Sequence, residues 1–198
     1  MASHAMARHA VTGHKVTNDA FGLPSGVEFS TDRRYRYNLW RRWQNTSEYL
    51  RFIGLNPSTA EEHDDDRTIS RCWQFTACLG YGAFYMANLF ALCSKDPGIM
   101  LADPAPIGQD NNRHLQQLGR QASLIVCANP GRHLGRDIEV IKLLDDYPRQ
   151  CLDINQIGTL KHPFYVKGDT RLKPYPLPGM VQSSAKSGVE TPQNRRLA

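Results

Sequence analysis

The chain has 198 residues, the size of one domain with short tails, and its 40% hydrophobic content is enough for a single core. A formal net charge of +5 is compatible with a nucleic-acid or nucleotide partner but does not require one. No stretch is apolar over the length of a membrane-spanning helix, which argues against an integral helical membrane protein.

The N-terminal part of the chain predicts a flexible segment followed by antiparallel strands. Residues 1–26 have no strong helix or strand pattern and are expected to be flexible, whereas residues 27–30 start a first strand. Residues 34–40 alternate with the period of a half-buried strand. The alternation puts Tyr35, Tyr37 and Leu39 on one face and Arg34, Arg36 and Asn38 on the other. We therefore expect an antiparallel meander ahead of the strand at 49–55.

From residue 49 onward, strand and helix patterns alternate. The predicted strands cover residues 49–55, 84–92, 123–128 and 151–154. The predicted helices cover residues 67–79, 111–121 and 135–146, with Asp66 and Asp110 as N-caps, Gly80 as a stop and a long loop at 95–107. This alternation predicts βαβ units, a mostly parallel sheet and one α/β domain over residues 27–173. Residues 174–198 are rich in Pro, Ser, Gly and Gln and are expected to be disordered.

The tripeptide Asn56-Pro57-Ser58, directly after the apolar run 50–55, is the most informative feature of the chain. In open α/β sheets, ligands bind at the carboxyl ends of the strands. This turn and the following Thr59 therefore place an amide and two hydroxyls at the expected ligand edge.

Asn88, Asn129 and His162 also lie at or near strand ends, so a parallel sheet would bring them to the same rim as Asn56. A buried amide without partners costs roughly 1–3 kcal/mol. Asn88 is therefore expected either to bond a neighbouring loop or to face a ligand, and an amide is able to read the edge of a nucleobase. His162 precedes a proline, which favours extended backbone; it is suited to stabilising a developing anion, or it has a structural role.

Charged residues form two further sets, each with a structural and a functional interpretation. The acidic run 64–66, after Glu61 and His63, is typical of a helix start, although it also has the oxygen ligands that magnesium prefers or could position a water. We favour the helix start. Arginines among aromatic residues and in the turn 129–136 suit either a solvated surface or phosphate contacts. The candidate phosphate contacts are Arg34, Arg36, Arg41, Arg132 and Arg136.

The five cysteines have neither the even number of a disulfide framework nor the C-x-x-C spacing of a zinc site. Most lie in apolar runs, which indicates buried, reduced thiols in a cytoplasmic protein. We expect neither a metal site nor a cofactor.

A series of motifs resembles, in order and type, domain-of-unknown-function family 1643, a bacterial and phage family whose activity is not established. The motifs are Gly54-Leu55-Asn56-Pro57-Ser58-Thr59-Ala60, Asp65-Asp66-Arg67-Thr68-Ile69-Ser70-Arg71-Cys72, Gly80-Tyr81-Gly82, Asn88-Leu89-Phe90-Ala91, Asp96-Pro97, Ile107-Gly108 and His162-Pro163-Phe164-Tyr165. The resemblance extends over roughly residues 35–174. It implies a bacterial cytoplasmic protein, or one in the host cytoplasm if a phage encodes it.

A more distant resemblance is to the uracil-DNA glycosylase superfamily, through the order of the Gly-x-Asn-Pro-Ser turn, an Asn-bearing strand, a Leu-Ile-Val strand and a late His-Pro turn. It implies a three-layer α/β/α sandwich around a mostly parallel sheet. By position it implies that Asn56 orients water beside Ser58, that Asn88 reads the base, and that His162 stabilises the departing base anion. The remaining expected substrate contacts are Pro57, Thr59, Asn129 and Tyr165, with Phe164 or Tyr165 serving as a duplex wedge or packing in the core.

The expected function is that of a glycosylase-like enzyme that hydrolyses the N-glycosidic bond of a pyrimidine base, plain or modified, in DNA or in a nucleotide. The expected partner is DNA or a nucleotide, with no membrane and no oligomeric state set by the sequence. Three alternatives remain open: a non-catalytic module that binds nucleic acid or a modified base, a transferase in phage DNA modification, and an enzyme of small nucleotides.

Overall fold

The computed structural model describes residues 14–18, 24–58, 65–128, 134–156 and 159–175, which form a mixed α/β fold. The strands are β1 His14–Asn18, β2 Pro24–Phe29, β3 Arg36–Arg42, β4 Leu50–Gly54, β5 Ala83–Asn88, β6 Leu124–Cys127, β7 Arg149–Cys151 and β8 Lys173–Pro174. The helices are α1 Arg67–Cys78, α2 Pro97–Ala102, α3 Asn111–Gly119 and α4 Arg136–Leu143, with a 3₁₀ helix at Pro163–Tyr165. None of these helices is long and apolar enough to cross a membrane.

The strands form one sheet in the order β1-β2-β3-β5-β4-β6-β7-β8. Its centre, β5-β4-β6-β7, is parallel, as predicted. The N-terminal meander β1-β2-β3 is antiparallel and joins the centre through β5 rather than β4, and β8 pairs antiparallel with β7. The chain runs from β4 outward to β5 and then back across β4 to β6. The carboxyl ends of these strands share one rim, which is where open α/β sheets bind ligands.

Helices cover both faces of the sheet. On one face, Ile69 and Phe75 of α1 lie in a core cluster with Phe52 of β4. On the opposite face, the next residue of β4, Ile53, lies in a second cluster with α3 and α4. Successive residues of a strand point to opposite faces, so burial on both sides explains why β4 is a continuous apolar run rather than an alternating one.

Two segments differ from the sequence prediction. Residues 1–26 were expected to be flexible, but β1 and the start of β2 pair as an antiparallel hairpin within them. The loop expected at 95–107 contains the short helix α2, which begins with Pro97 and is capped by Asp96. Proline is favoured at the first helical position because the backbone N–H that it lacks would have no intrahelical partner there in any residue. Residues 176–198 of the expected tail lie outside the described residues.

A β-bulge overturns the predicted alternation of β3. Glu28 pairs with Asn38 and Phe29 with Arg36, so Tyr37 is an extra residue between two consecutive pairs. Arg36 therefore lies on the face of Phe29 and α1, whereas Asn38 contacts α3 on the other face. The prediction that these two side chains share a face is wrong, because one inserted residue moves the side chains on one side of it to the opposite face of the sheet.

Helix α1 begins where the sequence predicted. The side chain of Asp66 accepts a hydrogen bond from the backbone N–H of Ile69 at 2.9 Å. Two residues after the last helical residue, Gly80 adopts the left-handed conformation with φ +83°. The prediction that Asp66 is the N-cap of this helix is therefore confirmed.

We expect Asp66→Ala to lower the free energy of unfolding by about 1 kcal/mol, because an N–H of the first turn loses its acceptor. Urea denaturation measures this loss. Asp110→Ala is the matched control, since Asp110 occupies the N-cap of α3 without a side-chain capping bond. Equal losses in the two variants would contradict the assignment.

Candidate functional site

A cavity of about 270 Å³ lies at the rim where β4 and β5 end and antiparallel β3 begins. Its polar lining includes Arg36, Asn56, Ser58, Asp66, Asn88 and His162. The structure thus brings together four side chains that the sequence singled out, from three segments far apart in the chain. Arg36 and Asp66 were not expected in this pocket.

Asn56 leaves the end of β4 with a fixed orientation. Its Nδ2 donates to the carbonyl of Ser94 at 2.8 Å and to that of Pro57 at 3.1 Å. Since both partners are acceptors, the nitrogen faces them and Oδ1 remains available to a ligand or a water. Pro57 shapes this turn and accepts from the backbone N–H of Ser94. The loop after β5 therefore holds the amide in place.

Asn88 ends β5 beside Gly54, with which it is paired in the parallel register. Its side chain is 2% exposed, and its Nδ2 has no hydrogen-bond partner among the described residues. A Cβ placed on Gly54 would lie only 2.7 Å from Oδ1 of Asn88. Gly54 is thus required for the close approach of this amide, and Asn88 presents an unused donor to the cavity.

His162 reaches the cavity from the C-terminal part of the chain. Arg71 of α1 donates to the carbonyl of Val166, a core residue, and this anchors the segment. The backbone at His162 is extended, as its proline neighbour predicts, and Nδ1 accepts from the N–H of Phe164 at 3.3 Å. Burial lowers the pKa of His162, so the neutral imidazole is favoured and Nε2 carries the proton. The ring is therefore a neutral hydrogen-bond donor.

Asp66 links the start of α1 to the Asn-Pro-Ser turn. One carboxylate oxygen caps the helix, and the other accepts from Oγ of Ser58 at 3.0 Å. The carboxylate also opposes the effect of burial on the pKa of His162. A hydroxyl bonded to a carboxylate forms a short route by which a proton can leave the cavity.

Two aromatic side chains stand beside His162 on the surface. Phe164 is 42% exposed and Tyr165 is 76% exposed, with their rings packed edge to face. The guanidinium of Arg67 lies 5.9 Å from the ring centre of Phe164. These rings do not pack in the core, which was one of the two alternatives for them.

The other predicted arginines have separate surroundings. Arg34 is exposed and pairs with Asp103 at 2.6 Å, and Arg41 pairs with Asp65 at 2.8 Å. Arg136 is 1% exposed and donates to the carbonyl of Leu89, so burial removes it from a surface phosphate contact. Outside the described residues lie Thr59, Glu61, Asp64, Asn129 and Arg132.

A second cavity of about 370 Å³ lies between the meander and α3, on the other face of the sheet. Its polar groups bond one another: Asn38 donates to Glu28 at 2.8 Å, and Nδ1 of His114 lies 3.2 Å from the same carboxylate oxygen. None of the side chains predicted to be catalytic lines it. The smaller cavity is therefore the better candidate site.

Comparisons with known proteins identify one family. The model of the family described as protein of unknown function (DUF1643) matches residues 36–164. No curated protein and no solved structure matches the chain.

We expect Gly54→Ala to displace the amide of Asn88 and to lower the free energy of unfolding by about 1–3 kcal/mol, because the new methyl group meets a packed side chain. Urea denaturation measures the loss. Gly168→Ala is the control, since the nearest atom to its Cβ would lie at an ordinary 3.6 Å. A Gly54→Ala protein as stable as this control would contradict the proposed close packing.

Proposed function

The chain belongs to the DUF1643 family, and we propose that it is a glycosylase-like enzyme that hydrolyses the N-glycosidic bond of a pyrimidine base in DNA or in a nucleotide. The observation that carries the proposal is the convergence of Asn56, Asn88 and His162 on one cavity. An acceptor for water, a donor for a base edge and a neutral donor for a leaving anion are the three elements that this hydrolysis needs.

In the proposed reaction, Oδ1 of Asn56 holds a water against the anomeric carbon of the sugar. The water oxygen forms the new bond while the bond from sugar to base breaks and its electron pair leaves with the base. Nε2 of His162 donates to the oxygen of the base on which negative charge develops. Ser58 passes the proton of the water to Asp66, with which it is already hydrogen bonded.

Base recognition is assigned to Asn88. Its unpartnered Nδ2 donates to a carbonyl oxygen on the edge of the pyrimidine, and this bond supplies the acceptor that the buried amide otherwise lacks. A cavity of about 270 Å³ suits one small ring system, which for a duplex requires the nucleotide to leave the base stack. In this proposal, the exposed rings of Phe164 and Tyr165 beside His162 support the opened duplex.

We expect Asn56→Ala to reduce base excision by about 10²–10⁴-fold, because the attacking water loses the acceptor that orients it. The assay incubates the protein with oligonucleotides that carry uracil, hydroxymethyluracil, other modified pyrimidines or mismatches, and alkali then reveals abasic sites. Asn45→Ala, at an exposed asparagine outside the cavity, serves as the control. Binding of these substrates without any excision by the wild-type protein would refute hydrolysis and favour a binding module.

The pH profile of excision tests the neutral form of His162. Its pKa lies below the ordinary 6.5 because of burial, so we expect kcat/KM to be constant near pH 7 and to fall only in more acidic solution. Protonation would turn Nδ1 from an acceptor into a donor that faces the N–H of Phe164. The hydrogen bond that orients the ring would then be lost. The folded state also binds this proton less readily than the unfolded state, so the protein itself loses stability as the pH falls through 6.5.

In the His162→Gln protein, the glutamine amide still offers a neutral donor but does not titrate. We therefore expect slower excision, without the fall of kcat/KM in acidic solution that protonation of His162 causes. Denaturation curves at each pH separate that decline from unfolding. An unchanged acidic limb in the variant would exclude the role given to His162.

A further inference from the structure

Arg36 is a charged side chain of the cavity that is buried without hydrogen-bond partners, in the described part of the chain, for two of its nitrogens. It is 4% exposed, and neither its Nε nor its Nη1 has a hydrogen-bond partner among the described residues. Asn88, which lines the same cavity, also has a buried donor without a partner. Three N–H-bearing nitrogens from two neighbouring strands thus lack acceptors in one place.

Other buried arginines of the chain are bonded to the protein. Arg51 donates to two backbone carbonyls of α3, Arg41 pairs with Asp65, and Arg136 donates to Leu89 and pairs with Glu139. Structural arginines in this fold therefore have acceptors for several of their donors. Arg36 has none of these arrangements, although a buried unpaired charge is among the most costly groups in a protein.

The placement of Arg36 depends on the bulge at Tyr37. Without this extra residue, the alternation of β3 would put Arg36 on the face of Asn38, away from the cavity. Bulges next to binding sites re-aim side chains in this way. Burial lowers the pKa of Arg36, while the Asp66 carboxylate opposes that effect without pairing with the guanidinium in the described structure. A ligand that brings its own negative charge would supply the missing acceptor.

We propose that Arg36 and Asn88 form an oxyanion-binding site, and that the ligand of the cavity carries a phosphate or carboxylate group next to its base. Nδ2 of Asn88 has two N–H groups, one for the carbonyl oxygen of the base and one for the anionic oxygen that Arg36 binds. A carbonyl oxygen alone would leave the buried charge of Arg36 uncompensated, whereas an anionic oxygen compensates it. This inference rests on the proposed function in taking the cavity as the ligand site, and it does not require that a bond is cleaved.

The test is thermal unfolding with three pyrimidine probes of similar size: deoxyuridine monophosphate, orotate and neutral deoxyuridine. A ligand that binds the folded state raises Tm in proportion to its affinity. We expect one of the two anionic probes to raise Tm and deoxyuridine to have little effect. A response to the monophosphate identifies a phosphate ligand, and a response to orotate a carboxylate. Equal responses to anionic and neutral probes, or none to any probe, would overturn the inference.

Two variants connect the response to the residues. We expect Arg36→Met to weaken anion binding by about tenfold or more, since charge-assisted hydrogen bonds are lost, while the ligand-free Tm stays equal or rises. We expect Asn88→Asp to place a permanent carboxylate beside Arg36, which raises the ligand-free Tm and removes the anion response. A lower ligand-free Tm in both variants, with the response retained in either, would show that Arg36 is structural.

Arg113→Met controls for general attraction of anions, because Arg113 is 53% exposed and lies away from this cavity. We expect its response to match that of the wild type. A specific anion response without base excision would refute the proposed hydrolysis and leave the oxyanion site standing, whereas excision with no preference for anionic ligands would do the reverse.

Discussion

The parallel pairing of β4 with β5 is the constraint on which the candidate site depends. It places Gly54 beside Asn88, and only a residue without a side chain leaves room for the buried amide at this position. The same pairing brings the turn after Gly54 next to the loop after Asn88, where Ser94 holds the side chain of Asn56. One local register thus sets two of the three groups that the proposed hydrolysis requires.

The cavity also contains buried donors that no described residue satisfies. Asn88 and Arg36 are buried with unpartnered donors, while core residues on both faces of the sheet pack in continuous apolar clusters. Natural sequences break the rule of satisfied buried polar groups mainly at functional sites, where the ligand supplies the missing partner. His162 is also affected by burial, which lowers its pKa and favours its neutral state at the position where the proposed reaction develops an anion.

Much of the architecture could be predicted from local pattern. Asp66 followed by an amphipathic run and Gly80 defines both ends of α1, and the continuous apolar runs of β4 and β6 indicate a parallel centre buried on both faces. The hairpin β1-β2 was missed because its partner strand, rather than its own composition, stabilises it. Helix α2 was missed because prolines in its surroundings resemble loop chemistry, although Asp96-Pro97 is a good helix start.

The family, the parallel centre of the sheet and the candidate roles of Asn56, Asn88 and His162 can all be predicted from the amino-acid sequence, because motifs and apolar periods are local properties of the chain. That Arg36 and Asp66 join them in one cavity, and that Arg136 is buried elsewhere, becomes visible only in the folded chain. A bulge is defined by the register between two strands, and burial is defined by what packs from other elements, so neither can be read from the period of one segment.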